Sequence, residues 1–256
     1  MAARPSRPFY GRFGWAYDLL ITDPVEPFVD RVGAALAARG IVGGSLLDAG
    51  SGTGRYAIEI SRRGFTVTAI DSSPDLVEQA RAKEVPRGMH VAFRVGDILR
   101  LEPTGDFDAV LCRGVLNDVT DEADRGTAIE SLARSLRPGG ALILDVRDLR
   151  GSIERVTREP LVEHRVQIGD RVLVYRAVRH IDEPEGLIVS TEEFVLTTPA
   201  GVERLGSTFA MKPWTEGELR ARLVDAGFRD IDCAAGWRHR NSATVTDRIF
   251  CAATRN

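Results

Sequence analysis

The sequence predicts an α/β protein: a seven-stranded, mostly parallel sheet with helices on both faces and an antiparallel β insertion after the fifth strand. Three observations predict it. A short apolar run, Leu46-Leu47, ends in Asp48 and then in Gly50, Gly52 and Gly54, a glycine at every second position. A buried parallel strand breaking into a tight turn before a helix reads this way, because glycine removes the Cβ where backbone bends sharply or lies close to a ligand. Strand-like and helix-like patterns then alternate as far as residue 146, the order of a parallel sheet with right-handed crossovers. Beyond residue 161 the pattern changes to successive strand-like runs separated by turn residues.

The elements follow in order. Aromatic residues Phe9, Tyr10, Phe13, Trp15 and Tyr17 crowd a short N-terminal stretch, and a helical pattern over 25–39 is stopped by Gly40. Strand one covers 45–49, a helix 56–63 stopped by Gly64, and strand two 65–70 ending at Asp71. Ser73 is an N-cap with Pro74 at the first helical position, and that helix carries Leu76, Val77 and Ala80 on one face. Strand three covers 91–95, strand four 107–112, a helix 122–136, and strand five 141–146 after the stop Arg137-Pro138-Gly139-Gly140. The inserted meander runs over 162–168, 171–180, 187–196 and 202–209. Thr215-Glu216-Gly217-Glu218 is a capping-box pattern that opens a helix ended by Gly227, and strands over 230–235 and 248–253 close the chain. The organisation expected is one domain: an N-terminal lid over 1–40, a core over 41–150, a β insert over 151–213 and a C-terminal helix with two strands over 214–256.

Composition narrows the function. The 34 basic and 37 acidic residues leave a net charge of −3, which does not suggest a nucleic-acid backbone as partner. Only Lys83 and Lys212 are lysines, so the positive charge is nearly all guanidinium, suited to carboxylate contacts. Cys112, Cys233 and Cys251 are odd in number, scattered and set in apolar runs; the expectation is buried thiols in a reducing cytoplasm, with no metal site. No apolar segment follows Arg4, Arg7 and Arg12, and no apolar run approaches bilayer length, so neither a signal peptide nor a membrane partner is expected.

The spacing of the glycine turn separates two cofactor classes. A dinucleotide fingerprint counted from Gly50 needs its third glycine at position 55, which is Arg55. The string Asp48-Ala49-Gly50-Ser51-Gly52-Thr53-Gly54 instead resembles the first motif of class I S-adenosylmethionine-dependent methyltransferases. Three further segments resemble that family: 66–71 ending in Asp71, Gly96-Asp97-Ile98, and Leu136-Arg137-Pro138-Gly139-Gly140 before strand five. The order of strand five, β insert, helix and two last strands resembles its small-molecule branch, which includes glycine and sarcosine N-methyltransferase-like and natural-product enzymes.

The resemblance implies a Rossmann-like fold, S-adenosyl-L-methionine as cofactor, and methyl transfer to N or O of a small molecule by in-line displacement. It implies that Asp71 accepts the ribose hydroxyls, that Asp97 takes the adenine amino group, and that Ile98 packs on the ring. Ser72 stands where family members often carry a bulky apolar residue on adenine. The full set of cofactor-binding candidates is Asp48, Gly50, Ser51, Gly52, Gly54, Tyr17, Asp71, Ser72, Asp97, Ile98 and Arg113. Asn117 and Asp118, after strand four, face the transferred methyl in such a fold and are the catalytic candidates, Asp118 as base or amine anchor. His164 and His180 in the insert are further candidate bases, His239 in the loop before the last strand is a similar one, and His90, before strand three, lies far from the site in this topology. Tyr10, Trp15 and Tyr17 form a candidate lid, and Arg147 is open to a substrate carboxylate or to Asp145 or Asp148. The partner expected is a small amine, phenol or carboxylate, with a homodimer left open. Two other classes remain: a protein of this fold that binds the cofactor without methylating, and an NAD-dependent oxidoreductase, against which Arg55 argues.

Overall fold

A computed structural model describes residues 7–236 and 247–256. The strands of the main sheet are β1 (Gly44–Ala49), β2 (Phe65–Asp71), β3 (Val91–Val95), β4 (Phe107–Arg113) and β5 (Leu136–Arg147), joined at one edge by β10 (Phe228–Ala235) and β11 (Arg248–Arg255). Their order is β10-β11-β5-β4-β1-β2-β3. β1 pairs in parallel with β2 and β4, β2 with β3, and β4 with β5; β11 runs antiparallel to both its neighbours. The strand order reverses at β1, with β2 and β3 on one side and β4 and β5 on the other, and because these strands are parallel their carboxyl ends open together onto one crevice, where sheets of this kind bind ligands.

Neighbouring residues along the central strands serve opposite faces. Leu46, Leu111 and Ile143 pack with α2 (Glu26–Ala37) and α3 (Arg55–Ser61), whereas Leu47, Val110 and Leu142 pack with α5 (Glu122–Ser135) and α7 (Glu216–Asp225). Both faces of the sheet are therefore dry, which is why these strands read as continuous apolar runs. Two further helices are α1 (Tyr17–Leu20), before the sheet, and α4 (Pro74–Arg81), capped by Ser73 Oγ accepting from Leu76 N at 3.1 Å.

The insert forms a separate four-stranded antiparallel sheet, β6 (Leu161–Ile168), β7 (Arg171–Asp182), β8 (Leu187–Thr198) and β9 (Gly201–Met211), paired in chain order. Its inner face presents Leu173, Tyr175, Ala177, Phe194 and Leu196, and these close over Phe9, Phe13, Ala16 and Leu20 of the N-terminal stretch. A third hydrophobic cluster thus joins the first residues of the chain to the insert.

Three features depart from the expectation. A helix, α6 (Leu149–Arg158), leads into the insert, capped by Asp148 Oδ2 accepting from Gly151 N at 2.7 Å. It is rich in arginine and buries only Ser152 and Val156, too narrow an apolar stripe to be read from the sequence. The 136–140 segment expected as a helix stop begins β5 instead. Cys233 and Cys251, expected as separate thiols, stand directly opposite on β10 and β11 with Cα atoms 4.1 Å apart and are joined as a disulfide. Their meeting depends on the register of two strands, which scattered positions do not reveal. Cys112 stays free and buried, its thiol pushed up by desolvation. Among the described residues no helix is long and apolar enough to cross a membrane.

Trp214 ties α7 to the sheet. It is fully buried, its indole Nε1 donates to Leu116 O at 3.3 Å, its backbone N donates to Arg147 O at 2.8 Å, and the Arg125 guanidinium lies 3.5 Å from the ring centroid. Trp214→Ala is expected to lower the unfolding free energy by about 3–5 kcal/mol, the usual range for emptying a large core aromatic site. A urea denaturation series on both proteins checks this.

Candidate functional site

The crevice is built around the turn after β1. Gly50, Gly52 and Gly54 all have positive φ, 83°, 55° and 75°. Gly50 N and Ser51 N both donate to Ile70 O at 2.8 Å, which fixes the turn against the end of β2. A side chain on Gly50 would overlap Val115 and one on Gly54 would overlap Phe93, so these two glycines allow close packing. A Cβ on Gly52 would meet nothing within 4 Å: the space above this residue is open.

Asp71 completes the turn. Its Oδ2 accepts from Gly52 N at 2.8 Å and its Oδ1 from Ser73 N at 2.9 Å, and burial raises its carboxyl while these two bonds pull it back. Asp48 lies beneath at 2% exposure, with Oδ2 buried and without a hydrogen-bond partner among the described residues. Desolvation first, then the charge of Asp71, pushes it up to about 7 against the pull of Arg113. Ser51 Oγ is also buried without a partner there. A carboxylate pair, an unused hydroxyl and open backbone fit a ribose-bearing cofactor with hydroxyl and amino groups to satisfy.

The other cofactor candidates fall in different settings. Asp97 is exposed and its Oδ1 accepts from Leu99 N at 2.9 Å, capping a short turn, while Ile98 is buried in the core with Leu47 and Ile70. Ser72 is exposed. Arg113 lies 3.1 Å from Asp145 and over the rings of Phe28 and Tyr56, at 4.9 and 4.4 Å, so its guanidinium is held by the scaffold. Tyr17 packs on Phe9 at 5.0 Å between centroids, and burial raises its phenol.

Asn117 and Asp118 separate in role. Asn117 is 3% exposed, its Oδ1 accepts from Arg147 N at 2.6 Å and its carbonyl from Lys212 N at 2.8 Å; it stitches the β4 loop to β5 and to the end of β9. Asp118 Oδ2 accepts from Tyr10 Oη at 2.9 Å. Desolvation pushes Asp118 up to about 6, with the Tyr10 bond and the charges of Arg7, Arg147 and Arg248 opposing.

The histidines stand apart from this pair. His164 is exposed on β6, stacked beside Tyr175 with centroids 6.3 Å apart. His180 is exposed on β7 with the parity of Arg176 and Val178, the opposite side from Leu173, Tyr175 and Ala177. The insert therefore directs His180 away from the crevice, contrary to the expectation of a pocket-facing base. His90 is exposed before β3, and His239 lies outside the described residues. Arg147 pairs with neither Asp145 nor Asp148 but with Asp247, at 2.5 Å.

The N-terminal stretch lies across the crevice and is fastened at both ends. Thr53 Oγ1 donates to Asp18 Oδ1 at 2.5 Å, Lys83 pairs with the other oxygen of Asp18, and Arg55 donates to Ile21 O and Asp23 O. At the far end Arg7 pairs with Glu192, which is 2% exposed on the insert and also accepts from Tyr175 Oη at 2.7 Å. Between them Ser73 Oγ donates to Tyr10 O. Arg7, Glu192, Asp145 and Asp247 were not foreseen from the sequence. Glu192 did leave a signal: it holds an inward position in a strand whose other inward residues, 188, 190, 194 and 196, are buried.

Comparison with known proteins gives a consistent picture. Residues 46–140 match the family described as Methyltransferase domain. A ubiquinone biosynthesis O-methyltransferase of Xanthomonas oryzae is 40% identical over 106 residues, covering 41% of this chain and 43% of that protein. The chain thus spans less than half the length of the curated relatives it matches. Among solved structures, a sugar N-methyltransferase from a Streptoalloteichus species superposes with a TM-score of 0.77 at 19% identity, covering 100% of this chain and 99% of the other. A Clostridium acetobutylicum S-adenosylmethionine-dependent methyltransferase gives 0.76 at 17% identity, over 96% and 98%. These likenesses extend the shared fold to the insert and both ends of the chain.

The buried Asp48 makes stability depend on pH in a definite direction. Its folded value, about 7, lies above the ordinary 3.8, so between these values the native state keeps a proton that the unfolded chain has released. Its contribution to stability is therefore full below about pH 4, declines as pH rises and is lost above about pH 7. Asp48→Asn removes this decline, and its advantage over the parent grows to the order of 3 kcal/mol at neutral pH. Denaturation of both proteins at pH 5 and pH 8, without cofactor, tests the sign.

Proposed function

We propose that this chain, whose residues 46–140 match the methyltransferase domain family, transfers the methyl group of S-adenosyl-L-methionine to a nitrogen or oxygen of a small molecule. The observation that carries this reading is the Asp71 carboxylate beside the open backbone of Gly52, each of its oxygens taking one backbone N–H and keeping lone pairs for a cis-diol. Gly52 leaves its backbone open to the cofactor, Gly50 and Gly54 let the turn pack closely on Val115 and Phe93 beneath it, and Ser51 Oγ and Asp48 Oδ2 offer unused polar atoms. The bound donor supplies a methyl group on a sulfonium, whose sulfur is already a good leaving group.

What remains for the protein is to align the acceptor, exclude water and take up a proton where the acceptor carries one. Asp118 is the group for the last task. Tyr10 Oη donates to its Oδ2, which orients the carboxylate and leaves Oδ1 for an acceptor N–H or O–H. With a value near 6 it is ionised in most molecules at neutral pH, yet is basic enough to accept a proton. The stretch from Arg7 to Leu20, bound to the glycine turn and to the insert, excludes water from the crevice. The one-domain organisation follows: lid, core and insert each contribute a wall.

Two measurements test the proposal. Calorimetric titration with S-adenosylmethionine and its demethylated product is expected to show saturable binding, weakened by Asp71→Ala about a hundredfold, the loss of two charge-assisted hydrogen bonds; binding of NAD alone would overturn the proposal. With an accepted substrate, the rate is expected to rise with pH through about 6 as Asp118 ionises. Asp118→Asn is expected to abolish that limb and lower kcat about 10²–10⁴-fold, while leaving cofactor affinity nearly unchanged.

A further inference from the structure

Beside Asp118 the crevice carries more positive charge than its scaffold uses. Arg147, at the end of β5, and Arg155, on α6, both pair with Asp247, at 2.5 and 2.8 Å, and each remains about a quarter exposed, 25% and 24%. Ser152 Oγ donates to the same carboxylate at 3.3 Å. α6 packs on β7, and Arg179 comes from the inner row of β7, in line with Leu173, Tyr175 and Ala177. Among the described residues Arg179 has no carboxylate partner: it donates to Glu159 O, and its buried Nε has no acceptor. Arg248, in register with Arg147 on the neighbouring strand, is taken up by Asp145, as is Arg113. Arg7 is taken up by Glu192.

Two guanidiniums, Arg147 and Arg155, thus share one carboxylate, Asp247, and a third, Arg179, stands near them with no acid bound to it among the described residues. Burial holds Arg155 below its ordinary range against the pull of Asp247, and the charges of Arg179 and Arg248 add to the lowering; Arg179 is lowered by burial and next by Arg147. Asp247 is already matched by two guanidiniums, as Asp145 is by Arg113 and Arg248. A further cation gathered at such a half-buried place is stabilised by an anion that is brought in.

We propose that Arg147, Arg155 and Arg179 form a subsite for an anionic group, carboxylate or phosphate, on the methyl acceptor. The subsite deepens the methyl-transfer reading and rests on it. The anion binds beside Asp247 while the nucleophilic nitrogen or oxygen reaches Asp118, which lies within the electrostatic reach of Arg147. Arg179, having no acid of its own, supplies most of the affinity, and Arg147 and Arg155 orient the group through planar N–H pairs.

The test is calorimetric titration with inorganic phosphate and, separately, acetate, with and without S-adenosylhomocysteine. The parent protein is expected to bind one of them saturably. Arg179→Gln is expected to weaken that binding about tenfold, with Arg179→Lys recovering part of it. Arg176→Gln is the control, because Arg176 lies on the outer side of the same strand, is exposed, and pairs with Glu163. Stronger binding of phosphate points to a phosphorylated acceptor, and stronger binding of acetate to a carboxylic acid. No saturable binding of either anion, or an equal loss in Arg176→Gln, would overturn the subsite. Binding of S-adenosylhomocysteine in the same experiment reports separately on methyl transfer, so a failed subsite and a failed function are told apart. A second readout is the acceptor KM: for a matched pair of charged and uncharged acceptors, Arg179→Gln should raise KM for the charged one only and leave kcat nearly unchanged.

Discussion

The site depends on one carboxylate bonded to backbone. Asp71 accepts from Gly52 N and from Ser73 N, and so holds together the turn after β1 and the start of α4. Ile70 O, one residue earlier, takes Gly50 N and Ser51 N. Three amide donors of the glycine-rich turn and one at the start of α4 are thereby satisfied by the end of a single strand. The parallel pairing of β1 with β2 makes this possible, since it sets Ala49 beside Ile70. Because the turn is fixed in this way, Gly52 keeps its open side, and the side chains around it take defined positions.

The N-terminal stretch shows how a cover is set over such a turn without a core of its own. Its aromatics bury against the insert, yet an apolar face alone would leave its register loosely determined. Polar pairs, buried at one end and half-buried at the other, supply the register. Arg7 meets Glu192 at one end, and Asp18 meets Thr53 and Lys83 at the other. Removing charges from water is costly, and the pair at Glu192 is acceptable because Tyr175 and Ser207 supply further hydrogen bonds to the same carboxylate. Lid, insert and core are thus fastened by polar contacts at the edges and by aromatic packing between them.

This division explains what could be read from the sequence. The glycine turn, Asp71 and the parallel strands were legible because local chemistry dictates them: positive φ demands glycine, and strands dry on both faces demand apolar runs. The meander was legible from its turns and alternation. The cluster at Asp247 was not, because its members come from β5, α6, β7 and the start of β11, and nothing local to Arg155 or Arg179 sets them apart from the other arginines. Nor was the structural use of Asn117 visible, since its partners, the backbone N–H groups of Arg147 and Lys212, lie 30 residues away and farther. His180 was misplaced by a matter of parity: one residue along a strand changes the face. Distance along the chain and strand phase, rather than residue type, set the limit.

The carboxylates at the crevice divide by what opposes burial. Asp145 lies between Arg113 and Arg248, and Asp247 is held below the ordinary carboxylate range by Arg147 and Arg155 despite its burial. These two are structural anions, committed to fixed partners. Asp48, fully buried, and Asp118, half-buried, have no guanidinium bound to them, and both rise, to about 7 and about 6. A buried acid without a bound cation is poorly accommodated in a scaffold and well suited to binding or proton uptake, because its energy changes most when a ligand arrives. The same reasoning applies with opposite sign to Arg179, a cation without a bound acid. The groups whose charge the scaffold leaves without a bound counterion are thus Asp48 under the glycine turn, Asp118 after β4 and, among the described residues, Arg179 on the insert.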